Sequence, residues 1–263
     1  MKIEPDLNLA RRFVAASEIP GRLLLGGITG SHHYGFASPD SDLDIKAIHL
    51  APTESMLGLT AHEDAFERLE EFEGVECDLT SNEVGQALRL LLRGNGNMLE
   101  RILCPYQLVD GPEVDALQGL ARGALSRRFH DHYAGFFRAM RKDFERSERP
   151  SAKQVLYAYR VALTGIQLLR TGKLEADLSV LAEPYGFSEI LAVLHQKRAG
   201  EERAPLASDA VPLFRERFHR VEAALDESLR VTALPENAPN FSDCERWLVE
   251  IRRAALRSHN ATA

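Results

Sequence analysis

The chain has 263 residues, of which 44% are hydrophobic and 27% charged, with a formal net charge of −7; this is ordinary for a soluble globular protein and speaks against a disordered chain. Met1–Ala16 carries acids at Glu4 and Asp6 and no long apolar run, so neither a signal peptide nor a membrane span is expected, and the expected location is cytoplasmic. Cys77, Cys104 and Cys244 are scattered and lack a Cys-x-x-Cys spacing, which argues against a disulfide framework or zinc ribbon and reads as buried small hydrophobes.

Asp6 is a candidate N-cap for an opening helix over Asp6–Ala16, with Leu7, Leu9, Ala10, Phe13 and Val14 at helical spacing. Leu23, Leu24 and Leu25 read as a short buried strand. Gly26, Gly27 and Gly30 then remove side chains where the backbone turns sharply or approaches a ligand. Ser31 is a candidate N-cap of a short helix, whose free N–H groups and positive dipole end favour an anion beside Gly30. Pro39-Asp40-Ser41 breaks the chain. From Asp42 the residues alternate into a strand ending at Leu50, with Asp42, Asp44 and Lys46 on one face and Leu43, Ile45 and Ala47 on the other. Two carboxylates that close repel unless a divalent cation lies between them, so the pair asks for Mg²⁺.

A Gly-Ser turn alone is commonplace, and an Asp-x-Asp strand alone is most often a solvated edge; both within the 28 residues Leu23–Leu50 are far rarer. No Gly-Lys-Ser/Thr follows the turn and the G-x-G-x-x-G spacing is missing, which sets aside Walker and dinucleotide loops.

Gly30-Ser31, then Tyr34-Gly35, then Ser38-Pro39-Asp40-Ser41-Asp42-Leu43-Asp44 resemble the G-S…S-D-x-D signature of DNA polymerase β-type nucleotidyltransferases. The Y-G-x-x-S-P-x-S-D-x-D form is most similar to the nucleotidyltransferases of bacterial and phage RNA-repair contexts. The resemblance implies an NTP whose phosphates rest on Gly30 and Ser31, with Ser41 as a further signature residue at the nucleotide. It also implies two metal ions, Mg²⁺ or Mn²⁺, held by the catalytic acids Asp42, Asp44 and a third carboxylate. In the expected strand Val75–Thr80, Glu76 and Asp78 share a face; the family pattern selects Asp78, and Glu76 is the alternative. Without Asp42 and Asp44, Asp78 would read as a strand-end acid capping the next helix.

Ala51–Glu73, acidic and weakly periodic, reads as a surface excursion. Thr80-x-x-Glu83 reads as a capping box before a helix with Val84, Ala87, Leu88, Leu91 and Leu92 as its apolar stripe and Gly94 as its end. Asn97 is a candidate cap for a short helix, Met98–Leu103, stopped by Pro105. The resembling family often has a Gly-Asn turn and then an acid here, matched by Asn95 and Glu100. Beyond Pro105 the strand signal is gone, and spacings of three and four predict helices in Val114–Leu125, Phe129–Phe144, Val155–Leu169, Ile190–Leu194, Leu213–Leu229 and Trp247–Leu256. The best-marked one starts at Ser151 after Pro150 and stops at Gly172. On it Lys153, Tyr157 and Arg160 share a face, and the resembling family also puts a Lys and an Arg near here, which makes the three candidates for contacts with the triphosphate. An exposed basic face is the ordinary alternative.

Charge is unevenly spread: residues 1–104 hold 9 basic and 17 acidic side chains, whereas 122–160 hold 10 basic and 4 acidic. The basic stretch, with Arg127 and Arg128, suits a nucleic-acid backbone, or else solvated helix faces. The expected architecture is α+β: a nucleotidyltransferase catalytic domain over 1–104, a small mixed sheet with helices, then an all-helical domain over 105–263 as the other wall of the cleft. The expected activity is metal-dependent transfer of NMP from an NTP to a hydroxyl, an RNA 3′-end being the favoured acceptor, with release of pyrophosphate. A small molecule or protein side chain as acceptor is the alternative, as is a non-catalytic nucleotide-binding module, against which the presence of both Asp42 and Asp44 speaks.

Overall fold

The computed structural model describes residues 3–59, 62–198, 206 and 210–262, with side chains up to residue 257. Helix α1 (Leu7–Ala15) opens as the spacing predicts: the Asp6 carboxylate accepts the N–H groups of Asn8 and Leu9, each at 2.9 Å. Then follow β1 (Arg22–Ile28), the single turn α2 (Gly30–His33) and β2 (Leu43–Leu50). A 3-10 turn at Thr53–Met56 leads to β3 (Ala65–Phe72) and β4 (Val75–Glu83). The rest is helical: α3 (Val84–Leu92), α4 (Gly96–Leu103), α5 (Pro112–Gly123), α6 (Phe129–Arg146), α7 (Ala152–Thr171), α8 (Leu178–Leu181), α9 (Ile190–Arg198), α10 (Ala210–Val231) and α11 (Phe241–Thr262). The fold class is α+β, and among the described residues no helix is long and apolar enough to cross a membrane.

The chain forms two compact units. The sheet unit comprises Pro5–Thr29, Asp42–Ala124 and the C-terminal segment from Ala238. Its four strands lie in the order β1-β2-β4-β3, the outer pairs antiparallel and β2–β4 parallel. Along β2, Leu43, Ile45 and Ala47 are buried and join Cys77 and Leu79 of β4, Ile28 and Leu108 in one cluster with Leu9, Ala10, Phe13 and Val14 of α1. Period-two alternation on the strands and a three-to-four spacing on the helix thus meet in one apolar layer. Each fully buried Phe or Leu there contributes about 1.5–3 kcal/mol. All three cysteines are buried and free; burial pushes the Cys104 thiol up to about 12, and it donates to the Ile28 carbonyl at 2.8 Å.

Several local readings are corrected. Within Ala51–Glu73 lies β3, an edge strand that pairs with β4 from Ala65↔Asn82 to Phe72↔Val75. Its sequence, AFERLEEF, hides the alternation because Arg68 and Glu70 share a face with Phe66 and Phe72 while Leu69 is exposed on the other, which an edge strand tolerates; Phe66 and Phe72 still pack on the α1 cluster. Glu73 (φ 51°) and Gly74 (φ 82°) form the two-residue turn into β4, the geometry that favours glycine. Thr80 is not a helix cap. Strand β4 runs on to Glu83, whose own carboxylate caps α3 by accepting the Gly85 N–H at 2.6 Å. Asn95, not Asn97, caps α4, accepting from Met98 N–H at 3.0 Å. Helix α2 begins at Gly30 (φ 60°), so Ser31 lies inside its only turn and is no N-cap.

The helical unit contains Gly30–Ser41 and Leu125–Asn237, with the N-terminal residues up to Glu4. Helix α7 has the predicted ends: a reciprocal Ser151–Gln154 capping box and Gly172 at φ 64°. Tyr159 of α7 and Phe137 and Phe144 of α6 surround Phe218 of α10 with ring centroids 5.1–5.8 Å apart. Gly165 lets α7 approach α6, since a Cβ there would lie 2.7 Å from Tyr133 Cβ and 3.0 Å from Leu225 Cδ1. Gly165→Val should therefore overpack this contact and lower stability by about 1–3 kcal/mol, read as a lower urea midpoint; an unchanged or raised midpoint would contradict the packing argument.

On α6, His132 lies against Tyr133 and Phe136, with ring centroids at 5.3 and 4.6 Å. Burial first, then the charge of Arg160, pushes its pKa down to about 4. An unfolded chain protonates this ring near pH 6.5, so between pH 6.5 and about 4 the unfolded state binds a proton that the folded state refuses, and stability falls as pH falls through that window. In His132→Gln that part of the acid dependence should vanish; parallel stability–pH curves for the two proteins would refute it.

Candidate active site

The parallel register places Asp44 opposite Asp78, on the same face of adjacent strands, which are spaced about 4.8 Å apart. This is the face away from α1. The next pair is Lys46 opposite Thr80, and the Lys46 ammonium donates to Asp78 Oδ2 at 2.8 Å and Thr80 Oγ1 at 3.1 Å. Asp44 is held from behind: the Thr29 N–H donates to its carbonyl at 2.8 Å. Asp42 is exposed and precedes β2, Asp44 is half-buried, and the Asp78 side chain is 41% exposed. Arg101 of α4, buried, donates to the Ala47 carbonyl at 2.9 Å and to the Asn82 side chain. Burial lowers its pKa to about 10 against the attraction of Asp78, so it stays cationic at neutral pH.

Asp42, Asp44 and Asp78 offer only oxygen, the donor type that suits Mg²⁺ or Mn²⁺. The residues fit such an ion, with two particulars. Asp42, Asp44 and Asp78 do not bring three oxygens within 4.8 Å of one another, and Lys46 is the resident cation on one Asp78 oxygen. Asp42, Asp44 and Asp78 would hold such an ion only with Asp42 drawn in and Lys46 displaced or kept on one Asp78 oxygen. Glu76 lies on the same face as Asp78 but opposite Glu71 of the edge strand, exposed and two residues towards the open end.

Gly30, Ser31, Ser41, Lys153, Tyr157 and Arg160 belong to the helical unit. Gly30 and Ser31 are buried, and the Ser31 carbonyl accepts the Phe36 N–H at 3.0 Å. Ser41 closes the Pro39-Asp40 turn: its hydroxyl accepts the Ser38 N–H at 2.9 Å. The shared face of α7 is brought to the segment just after the Gly-Ser turn. The Arg160 guanidinium stands 3.8 Å from the Tyr34 ring centroid, and Tyr157 meets Phe36 at 5.2 Å and Tyr34 at 6.1 Å. Lys153 Nζ lies 5.9 Å from the Tyr157 ring, and Lys153 and Tyr157 line a cavity of about 250 Å³ with Met140, Asp143, Ser151 and Gln154. Gly35, at φ 78°, has no room for a Cβ because the Asp177 carboxylate fills that space. Arg198 holds the Gly35 carbonyl at 2.9 Å, and buried Lys197 reaches Ser38 Oγ at 3.4 Å.

Much of the positive charge in 122–160 is met inside the unit. Arg138 and Arg141 pair with Glu222 at 3.0 and 2.9 Å, and His130 meets Asp226 at 3.0 Å. Arg127 donates to the Leu229 carbonyl at 2.8 Å and Arg128 to Asn237 Oδ1 at 2.6 Å. Lys142, Arg146 and Arg149 are exposed.

Sequence reasoning placed Lys46 on the acidic face without a role and missed Arg101 and Asn82. The period-two pattern of β4, extended past Thr80, would have found Asn82; nothing in Gly96–Leu103 singles out Arg101.

Two relatives are similar in sequence. One is the uncharacterized protein MJ0002 of Methanocaldococcus jannaschii, 26% identical over 77% of this chain and 83% of its own length. The other is the uncharacterized protein YcgL of Bacillus subtilis, 26% identical over 66% of this chain and 69% of its own length. Residues 5–250 match the RNA repair pathway DNA polymerase beta family, RlaP. That span includes the Gly-Ser turn, the Asp-x-Asp strand, Asp78 and helix α7, and the chain belongs to this family of polymerase β-type nucleotidyltransferases.

Proposed function

We propose that the protein transfers NMP from an NTP to a hydroxyl, in the first place an RNA 3′-end, with Asp42, Asp44 and Asp78 as its catalytic carboxylates. The observation that carries this is Asp44 facing Asp78 across parallel strands in a chain of this family. The bond formed joins the acceptor oxygen to the α-phosphorus and the bond broken releases pyrophosphate. The hydroxyl proton goes to Asp78, and Gly30, Ser31 and Ser41 hold the phosphates. Mg²⁺ or Mn²⁺ bound by the three acids would neutralise charge on the triphosphate. Lys153, Tyr157 and Arg160 are assigned to the nucleotide, Arg160 as a buried cation and Tyr157 as an aromatic surface. In this reading residues 1–104 carry the chemistry, residues 105–263 are a helical partner domain, and the location is cytoplasmic.

A second reading, a small molecule or protein side chain as acceptor, is favoured by one observation: Arg138, Arg141 and His130 are paired with acids of α10. The exposed cations left for an RNA backbone include Lys142, Arg146 and Arg149.

Asp44→Asn removes a proposed ligand and no core contact, so it should reduce transfer from each labelled NTP by about a hundred- to a thousandfold, the scale on which losing a group that stabilises transition-state charge is felt, with an unchanged circular-dichroism spectrum. Asp78→Ala should match it and Glu76→Ala should not; near-full activity of either Asp variant would overturn the assignment. For the acceptor, RNA affinity should fall with added salt, and replacing Lys142, Arg146 and Arg149 by Ala should flatten the log–log slope by about 2, at roughly 0.7 per single-strand phosphate contact. RNA binding that ignores both salt and these substitutions would leave the second reading.

A further inference from the structure

We infer that His62, Asp64 and Glu83 form a second cation site, suited to a divalent transition metal such as Zn²⁺ and separate from the Asp42–Asp44–Asp78 face. One ligand atom from each of the three lies within 4.8 Å of the others. His62 Nε2 and Asp64 Oδ1 are 3.3 Å apart, close to the edge of a tetrahedron around zinc, roughly 3.4 Å for bonds near 2.1 Å. The Glu83 N–H donates to the Asp64 carbonyl at 2.8 Å, which fixes the two acids side by side where β3 and β4 meet.

Two imidazoles set this cluster apart from a patch of acids. His62 Nε2 is a buried atom that makes no hydrogen bond of good geometry and faces Asp64 Oδ1. His49, 0% exposed, sits opposite Glu83 in the strand register and uses Nδ1 on Ser81 Oγ at 2.8 Å, leaving Nε2 buried without a hydrogen-bond partner. An ion-pair network could account for the carboxylates alone: Arg252 Nη2 lies 3.0 Å from both Glu83 oxygens, and Arg89 Nη2 lies 3.6 Å from Asp64 Oδ1. That network meets His62 Nε2 only through Asp64 Oδ1 and leaves His49 Nε2 without a partner, whereas nitrogen with carboxylate oxygen is the donor set of a borderline cation and not of Mg²⁺. The Arg89 contact is the longest of the set and comes from a side chain 56% exposed, so it is the one a metal would replace. Arg252 would stay on the outer side of Glu83.

The site is distinct from the catalytic face by position and by side. The pair His49↔Glu83 is five residues along from Asp44↔Asp78, about 16 Å at roughly 3.3 Å per residue. Five being odd, Glu83 points to the opposite face of the sheet from Asp78. A metal here would pin the lead-in to β3 onto the ends of β4 and β2.

The test is titration of tag-free full-length protein with Zn²⁺ in excess Mg²⁺, followed by calorimetry. The wild type and Asp44→Asn should each take up about one equivalent, and His62→Ala or Asp64→Asn should weaken uptake by about tenfold or more, the scale on which even outer-sphere partners of a metal are felt. Both altered side chains are partly exposed, and circular dichroism checks that each variant is folded. No uptake by the wild type, unchanged uptake in His62→Ala and Asp64→Asn, or loss of uptake in Asp44→Asn would each overturn the inference.

Discussion

The parallel pairing of β2 with β4 is the constraint on which the candidate chemistry depends. It sets Asp44 against Asp78 and Lys46 against Thr80, while Leu43, Ile45 and Ala47 join Cys77 and Leu79 beneath α1. Because side chains alternate, a slip of one residue would turn Asp78 into the apolar layer and put Cys77 or Leu79 beside Asp44. The buried face therefore holds the acidic face in register: burial of Ile45 and Leu79 is what makes two like charges lie side by side. Repulsion between them is relieved here by Lys46 and Arg101, and a bound divalent cation would relieve it further.

The parts of the fold that depend on local spacing were legible in the sequence. Asp6, Ser151 and Gly172 mark helix ends by short-range hydrogen bonding and backbone conformation, and the structure uses each as read. The alternation in Leu43–Leu50 showed the acidic face directly. What escaped was decided by partners distant in sequence. Strand β3 carries charges on both faces because it is an edge, and only its pairing with β4 makes it a strand. Thr80 looked like a cap because Glu83 follows at the right spacing; β4 instead continues, and the hydroxyl accepts from Lys46, 34 residues earlier. Arg101 reaches the acidic face from α4 with no local pattern to announce it.

Helix α7 shows the same division. The common face of Lys153, Tyr157 and Arg160 followed from helical geometry, but its contact with Tyr34 and Phe36, directly after the Gly-Ser turn, is tertiary. Burial and the Tyr34 ring hold the Arg160 guanidinium in one position. In the basic stretch the count of charges was right and its meaning was not visible, because the neutralising acids Glu222 and Asp226 lie on α10 about eighty to a hundred residues away.

The central claim is that the α-phosphoryl group of an NTP, carrying its nucleoside, is what moves. The most direct measurement follows two labels in parallel, one on the α-phosphate and one on the γ-phosphate, with Mg²⁺ and RNA present. The account predicts α-label in the acceptor and γ-label in free pyrophosphate. Transfer of the γ-label to the acceptor, or its release as inorganic phosphate alone, would contradict it.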